Sequence, residues 1–485
     1  MANLGGEDQL FKPGKAEGRR RPTPPAGADK TFRRYDPHQV FLLPPSLDDW
    51  LGEDHEARFI SEIVEEVLDL GVIYASYENA TGAPPYDPRL MLKVLLYGYS
   101  TGVTSSREME RRCHLDVAFR WLSANSAPDY RSISRFRRRH LDALNDLFVQ
   151  VLALCFEAGL VRLGRVALDG TKLRASASRH KARSYDRIGP KIEQLETEVA
   201  AILAEAEAVD NAEDVEFGAA RRGDEVPNEL ARRETRLVKL RAAKKAIERE
   251  AAEKAAEKAA ATAKEAGADE SAQHRAAVAA ARKAKPEGRA QRSFTDPDAR
   301  IMKSADGSFQ YCFNAQAVVD EGQQVILAAE LGNNAADVGA LVPMIEAAEE
   351  NLHAAGAEKS PEVVVADAGY CSEANLTEAP GDVLVATGRI RRGERVPESP
   401  RGRIPNNATP RELMARRLRT KKGRADYARR KAIVEPAFGQ MKVRQHAGFL
   451  RLRGLQGAQG EWTLHALCHN LRKLGNAKAK ELAAT

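Results

Sequence analysis

The sequence is poor in cysteine and has no long apolar run, and each lack excludes a class of protein. Its five cysteines are scattered over 485 residues without a CxxC pair or a secretory signal, which is not the pattern of a disulfide framework. No apolar run approaches the roughly 20 residues that span a bilayer, and no P-loop is present. We therefore expect a protein of the reducing cytoplasm that neither enters a membrane nor consumes a nucleotide.

Positive charge is concentrated at one end of the chain. Residues 401–485 hold 20 Lys and Arg against 5 Asp and Glu, whereas the whole chain has a net charge of only +6. A basic end of this size indicates a polyanionic partner, nucleic acid before membrane. The hydrophobic content of 43% in 485 residues is enough for two or three domains with buried cores.

The first 160 residues divide into an arm and a helical region. Residues 1–37 are rich in Pro, Gly and Arg and predict a disordered basic arm. Residues 38–160 show helical periodicity, and within them 105–140 hold nine Arg against four acids. Several short helices with a basic one among them resemble a helix-turn-helix DNA reader, although an amphipathic helix with a basic exposed face would give the same run. The DNA-binding candidates are Arg135, Arg137, Arg138 and Arg139.

Residues 190–289 form an insertion dominated by Ala, Glu, Lys and Arg. Large apolar residues recur there at heptad-like spacing in two sets, one on each side of "GDEVPNE". The sets are Ile192, Leu195, Val199, Ile202 and Val209, then Leu230, Leu237, Leu240 and Ile247. This pattern predicts two helices that fold back as a hairpin or pair with a second subunit.

Strand signals flank this insertion. "VALDG", "FQYCFNAQAVVD" and "QQVILAAEL" precede an amphipathic helix, the strand "VVVA", a short helix, the strand "DVLVAT" and a final helical region. With the insertion set aside, this is the element order of a ribonuclease-H-like mixed sheet. We predict such an α/β catalytic domain over 161–189 and 290–475, split by the helical insertion. An all-α DNA-binding domain over 38–160 precedes it, and a tail at 476–485 follows.

Two carboxylates stand at the tips of predicted strands. Asp169 ends "VALD" and Asp367 ends "VVVAD"; in a ribonuclease-H-like sheet these strands are parallel neighbours, so both acids would meet at one edge. Glu435, on the final helical region, would complete a cluster. Three carboxylates repel one another unless a cation neutralises them, and oxygen ligands favour Mg²⁺ or Mn²⁺. Two ions about 4 Å apart would support in-line phosphodiester displacement. Taken singly, each acid also fits a turn or an exposed helix face.

Basic residues flank Glu435. Lys442 follows it by seven residues and would share its helix face, while Arg430 and Lys431 precede it by about one turn. Pro436 predicts that the helix begins or kinks there. Other candidates have plainer interpretations: Asp296, Asp298 and Asp320 as turn formers, Trp462 as core rather than a base-stacking side chain, and His465, Cys468 and His469 as core rather than a metal clip.

The motifs in this order resemble bacterial insertion-sequence transposases of the Asp-Asp-Glu class, in the IS-four and IS-five superfamily and its IS-eleven-eighty-two-like branch. The resemblance rests on "DPRLMLKVLLYGY", "SISRFRRRH", "ALDGTKLRASAS", "DPDARIMKS", "VVADAGYCSEANL" and "YARRKAIVEPAFGQMK". It implies that Asp169, Asp367 and Glu435 are the catalytic carboxylates and the ligands of two Mg²⁺ or Mn²⁺ ions. It also implies that a Tyr, Arg, Glu, Lys signature contacts DNA backbone. That signature falls on Tyr427, Arg430, Glu435 and Lys442. Four residues separate Arg430 from Glu435 instead of the usual three, which leaves Lys431 as an alternative.

The resemblance predicts a bacterial, nucleoid-associated DNA transposase that works as a homodimer or a larger homo-oligomer. It would bind double-stranded element ends and target DNA, hydrolyse the element's 3′ end and transfer the freed hydroxyl into the target. Two alternatives stay open. One is a nuclease on the same fold that cuts without joining, and the other is a catalytically decayed or domesticated transposase that binds DNA as a repressor.

Overall fold

The computed structural model describes residues 46–77, 84–178, 182–217, 228–304, 306–388 and 402–484. The predicted arm at 1–37 lies outside them. Residues Leu47–Thr485 form one compact unit. Among the described residues, none of the helices combines the length and apolarity that a membrane crossing requires.

The region before the insertion is helical up to residue 157. Helix-start residues act as expected: Asp87 and Asp129 accept hydrogen bonds from the first backbone N–H groups of the helices that follow them. The apolar faces of these helices join the same hydrophobic core as the sheet, so they pack on it directly. They are α1 (Glu56–Glu62, continued by a π-helical turn at Ile63–Val67), α2 (Gly71–Ala75), α3 (Pro88–Ser100), α4 (Ser106–Leu115), α5 (Val117–Leu122), α6 (Tyr130–Arg139) and α7 (Leu141–Glu157).

The sheet is mixed and, in the described residues, six-stranded. Its order is β4-β5-β1-β7-β8, with β6 also paired to β5. β1 pairs antiparallel with β5 and parallel with β7, and β7 pairs parallel with β8. The arrangement is compatible with the expected ribonuclease-H-like sheet. The strands are β1 (Arg165–Arg174), β4 (Arg300–Lys303), β5 (Phe309–Asp320), β6 (Ile326–Gly332), β7 (Val363–Ala366) and β8 (Val383–Val385), and a separate pair is β2 (Ala182–Ser184) with β3 (Gln291–Ser293).

One predicted strand boundary is wrong. Asp169 does not end its strand, because β1 keeps its antiparallel pairing with β5 as far as Arg174. What ends beside Asp169 is the neighbour β7, whose last residue is Ala366. The predicted hairpin between β5 and β6 is present, and the Asp320 carboxylate accepts the Gly322 N–H at 2.7 Å in its turn.

Side-chain amides of the C-terminal helix bind the free edge of β6. An edge strand offers unpaired N–H and C=O groups that invite aggregation unless something binds them. Gln459 accepts from Leu331 N at 2.6 Å and donates to Ala329 O at 2.9 Å, and Asn470 makes the same pair of bonds to Ile326 at 2.8 Å each. Both amides lie on α16 (Leu455–Ala484), which extends into the predicted tail as far as Ala484.

The insertion consists of α8 (Tyr185–Phe217), α9 (Asn228–Glu265) and α10 (Glu270–Lys283). α8 and α9 run antiparallel, since Glu198 pairs with Arg233 while Tyr185 bonds Glu248 farther along α9. Heptad-like residues of both helices form a small core separate from the main one. Its members are Ile188, Ile192, Leu195, Leu237, Leu240 and Ile247. The side chains of Val209 and Leu230 lie outside the described part of the chain.

The remaining helices are α11 (Leu341–Ala354), α12 (Glu373–Glu378), α13 (Pro410–Arg419), α14 (Lys421–Ala428) and α15 (Arg430–Arg444). α15 runs through Pro436, so of the two predicted alternatives, a helix start or a kink at Pro436, the start is wrong. A proline removes the N–H that would bond the carbonyl four residues earlier, here that of Ala432. Gln324 donates its side-chain amide to this Ala432 carbonyl at 3.3 Å, which supplies the missing partner.

The His and Cys side chains of the C-terminal helix that were considered as metal ligands lie in the hydrophobic core. His465, Cys468 and His469 are fully buried on α16, and among the described residues there is no group of three His, Cys, Asp or Glu able to hold a metal ion. Burial lowers the pKa of His465 to about 3 and that of His469 to about 4. Both imidazoles are therefore neutral in the folded protein at neutral pH.

We expect these histidines to make the fold sensitive to mild acid. Below pH 6.5 the unfolded chain binds protons that the folded chain does not, so the free energy of unfolding falls with decreasing pH and is level above pH 6.5. His465→Gln removes one of these sites and should reduce the slope between pH 6.5 and 5 by up to about 1.4 kcal/mol per pH unit. Urea titrations across pH 5–7.5 measure this, with the exposed His274→Gln as control. Equal slopes in both variants and the wild type would contradict the assignment.

Candidate active site

Asp169 and Asp367 lie side by side at neighbouring parallel strands. Leu168 of β1 is in register with Ala366, the last residue of β7. In both cases the next residue along the chain is an aspartate, Asp169 within β1 and Asp367 directly after β7. Burial raises the pKa of Asp169, Arg430 opposes this, and the charge of Asp367 raises it further. The two carboxylates are thus within electrostatic range at one position on the sheet, as the sequence predicted.

A buried arginine neutralises Asp169. α15 packs on β1 and β5, and its first residue, Arg430, places Nη1 2.9 Å from Asp169 Oδ2. Arg430 is only 8% exposed, so this charge-assisted bond is shielded from water. The structure places Arg430 at the site, whereas Lys431, the alternative, is exposed on the same helix.

Tyr427 and Lys442 lie near the same pair. Burial raises the pKa of Tyr427, Arg430 lowers it, and the charges of Asp367 and Asp169 raise it. Lys442 donates to the hydroxyl of Thr171, two residues after Asp169 on β1. Burial lowers the pKa of Lys442 and the charge of Asp169 opposes that change. A phenol and two cations therefore surround the aspartates.

Glu435 is not in contact with the pair. It is exposed on α15, and within the described residues no three acidic, His or Cys side chains are close enough to form a metal site. Its spacing of seven residues from Lys442 puts both on one helix face. The predicted three-carboxylate cluster is therefore two carboxylates and an arginine in this structure.

The donor set fits a hard divalent cation only in part. Carboxylate oxygens are suitable ligands for Mg²⁺ and Mn²⁺, but Asp169 Oδ2 already accepts from Arg430 and its Oδ1 accepts from Gly170 N at 2.9 Å. Asp367 Oδ1 accepts from Gly369 N at 2.7 Å. Arg430 supplies the positive charge that an ion would bring.

Sequence reasoning missed Asp337, which lies between β6 and α11. Its Oδ1 accepts from three side chains, Lys172 at 3.1 Å, Asn314 at 2.7 Å and Gln316 at 2.9 Å. The available signal was the pair Asn314 and Gln316 in the middle of an otherwise apolar strand, since buried polar side chains require partners.

The arginines predicted to bind DNA on α6 have three different environments. Arg135 and Arg138 are exposed. Arg139 donates to the Ser76 carbonyl and lies over the Tyr77 ring at 4.8 Å. The prediction that Arg137 contacts DNA is corrected by its burial. Arg137 is 4% exposed and donates to the Tyr99 hydroxyl and the Thr104 carbonyl, because its position on α6 faces the core.

Arg137 belongs to a buried network that joins α6 to the C-terminal helix. Tyr99 accepts from Arg137 and donates to Glu461 Oε1 at 2.7 Å. Glu461 Oε2 accepts the backbone N–H groups of Arg451 and Leu452 at 2.7 Å each. Its charge is compensated inside the protein and is not presented to a ligand.

The other single candidates are structural. Asp296 accepts from Gly454 N at 3.2 Å and Asp298 from Leu455 N at 2.9 Å, so both hold the start of α16. Trp462 is 1% exposed and donates its ring N–H to the Gln316 carbonyl at 3.0 Å. It is a core residue, as expected.

Two family profiles match the chain. "Transposase domain (DUF772)" matches residues 45–139, and "Transposase DDE domain" matches residues 283–471. The second match includes Asp367, Glu435 and the signature residues of α14 and α15. No curated protein and no solved structure matches the chain.

We expect Arg430→Ala to destabilise the protein by about 1–3 kcal/mol, because it leaves the half-buried Asp169 carboxylate beside Asp367 without a cation. Its exposed neighbour provides the control, and Arg429→Ala should cost no more than about 0.5 kcal/mol. Urea unfolding in the presence of a chelator measures both. If the two variants are equally stable, the ion pair with Asp169 does not hold the site together.

Proposed function

We propose that this chain, whose two transposase-domain matches support an insertion-sequence transposase of the DDE class, cleaves the ends of its element and transfers them into target DNA. The observation that carries the proposal is the pair Asp169 and Asp367, brought together by strand register beneath basic side chains of α15. The IS-eleven-eighty-two-like branch is the one we propose for it.

The sheet supports a ribonuclease-H-like catalytic domain. Three antiparallel strands, β1, β5 and β6, are followed by β7 and β8, which run parallel to β1. Helices follow β6 and β7 in the chain, as crossover connections require. In open sheets, ligands collect where neighbouring strands end, and Asp367 stands at such an end. The proposed domain covers 161–189 and 290–475, with 190–289 as its insertion.

The proposed reaction is a phosphodiester exchange. Asp169, Asp367 and Glu435 are the residues proposed to hold two Mg²⁺ or Mn²⁺ ions, whose chemistry is activation of a water or 3′-hydroxyl and stabilisation of the leaving oxygen. Tyr427, Arg430 and Lys442 would contact the DNA backbone on either side of the reacting phosphate, since cationic donors match phosphate oxygens. Lys431 would contact the backbone farther away.

DNA recognition is proposed for the N-terminal region at 38–160. Arg135 and Arg138 lie three residues apart on the exposed side of α6, with Arg131 also exposed one turn before. This spacing gives a continuous basic face. Arg139 would assist from the end of the helix. We also propose assembly into at least a homodimer, so that two element ends are held together.

A second candidate is favoured by one observation, the occupation of Asp169 by Arg430. A protein locked in this state would bind DNA without cutting it, as a repressor would. A nuclease on the same fold would cut without joining. The products formed by the purified protein distinguish these functions.

Asp367→Asn should abolish cleavage while leaving DNA binding within about twofold of the wild type, because one carboxylate is lost from the proposed metal site but phosphate contacts remain. The assay incubates fragments from both flanks of the coding region with the full chain and Mg²⁺ or Mn²⁺. Asp146→Asn, an exposed acid on α7, is the matched control. Joined products identify a transposase, and cleavage without joining identifies a nuclease. Equal cutting by Asp367→Asn and wild type would refute the site, and binding without cutting by wild type would favour the repressor.

Replacing Arg135 and Arg138 together by Gln should weaken binding to duplex DNA and lower the slope of log K against log salt by about 2, because each phosphate contact releases counterions. Replacing Lys254 and Lys258 on α9, which are exposed and lie outside the matched residues, is the control. Filter binding at salt concentrations between about 50 and 200 mM measures the slopes. An unchanged slope in the α6 variant would exclude this face as a backbone contact.

A further inference from the structure

Asp337 forms the centre of a polar network that shares strand β1 with Asp169. Its three donors come from β1 (Lys172) and β5 (Asn314 and Gln316), and all bind the single oxygen Oδ1. Asn314 and Gln316 are each 3% exposed, so the loss of their acceptor would leave buried amides unsatisfied. Nothing in the reaction proposed above uses this carboxylate.

The network fixes the orientation of Gln316. An ionised carboxylate only accepts hydrogen bonds, so Gln316 must direct its NH₂ group to Asp337. Its carbonyl oxygen then faces the other way, where it accepts the hydroxyl of the fully buried Tyr370. Tyr370 lies three residues after Asp367, in the 3-10 turn at Ala368–Tyr370 that Asp367 begins.

The loop of Asp337 is also tied directly to that turn. The Asn375 amide donates to Val338 O at 2.6 Å and to Tyr370 O at 2.7 Å. A side chain on Gly369 would approach both acids, since its Cβ would lie 3.0 Å from Asp367 Oδ1 and 3.4 Å from Asp337 Oδ2. Asp337 and the Asp367 turn are therefore packed together with no intervening layer.

We propose that Asp337 is a positioning residue: through Gln316 and Tyr370 it holds the turn that sets the Asp367 carboxylate beside Asp169. The inference deepens the proposed function and rests on it only for the consequence in catalysis. We call the chain of contacts from Asp337 through Gln316 to Tyr370 the relay, and it is a property of the folded chain. It acts on the Asp367 turn and requires neither metal nor DNA.

The first test is amide hydrogen exchange on the full chain without metal or DNA. In Asp337→Asn, whose side chain can present either a donor or an acceptor to Gln316, amides of residues 367–371 should exchange about tenfold faster than in the wild type. Tyr370→Phe should give the same local increase. Asp146→Asn is the control and should change nothing. An unchanged 367–371 segment, or an increase spread evenly over the whole sheet, would overturn the relay.

The second test measures coupling. If Asp337 acts through Tyr370, the double variant Asp337→Asn, Tyr370→Phe should exchange no faster at 367–371 than the faster single variant, because both changes break one chain of contacts. Independent effects that multiply would overturn the proposal.

In the cleavage assay, Asp337→Asn should raise the half-saturating Mn²⁺ concentration about tenfold with DNA affinity unchanged. A lowered DNA affinity with normal Mn²⁺ dependence would overturn the catalytic consequence. If the wild type does not cleave, the proposed function fails and the exchange result still decides the relay.

Discussion

The parallel register between β1 and β7 is the constraint on which the candidate site depends. Pairing Leu168 with Ala366 fixes which residues follow on both strands, and a shift by one residue would send one carboxylate to the opposite face of the sheet. Val166, Ala167 and Leu168 of β1 and the four residues of β7 are apolar and nearly inaccessible to water. Hydrophobic packing of these strands therefore brings two acids together although their charges repel each other.

Carboxylates that lie close together repel one another, and cationic side chains offset this repulsion. Asp169 is held by Arg430, and Lys172 binds Asp337. A cation able to bind the aspartates would compete with Arg430 for the same oxygen, since a carboxylate that is shared loses interaction with each partner. We therefore expect metal binding to be coupled to the release of Arg430 from Asp169. Glu435 lies on the same helix as Arg430, and its side chain is exposed.

Element types were predictable where a pattern was strong. The apolar runs around Asp169 and Asp367 predicted their strands, and their parallel pairing followed from element order. The end of β1 was not predictable, because strand continuation past Asp169 depends on pairing with β5 and leaves no local signal. The helix start considered at Pro436 could not be excluded from the sequence for a similar reason: the carbonyl that Pro436 leaves without its N–H partner is satisfied by Gln324, more than one hundred residues away. Arg137 could not be separated from its exposed neighbours by charge alone, because its burial depends on Tyr99 and Glu461.

We propose that Asp169 and Asp367 hold a divalent cation in place of Arg430, which anomalous diffraction from crystals of the full chain grown with Mn²⁺ would measure. We expect a manganese peak within about 2.5 Å of oxygens from both carboxylates, with the Arg430 guanidinium moved away from Asp169. A structure at saturating Mn²⁺ with no peak at the pair and Arg430 still bound to Asp169 would contradict it.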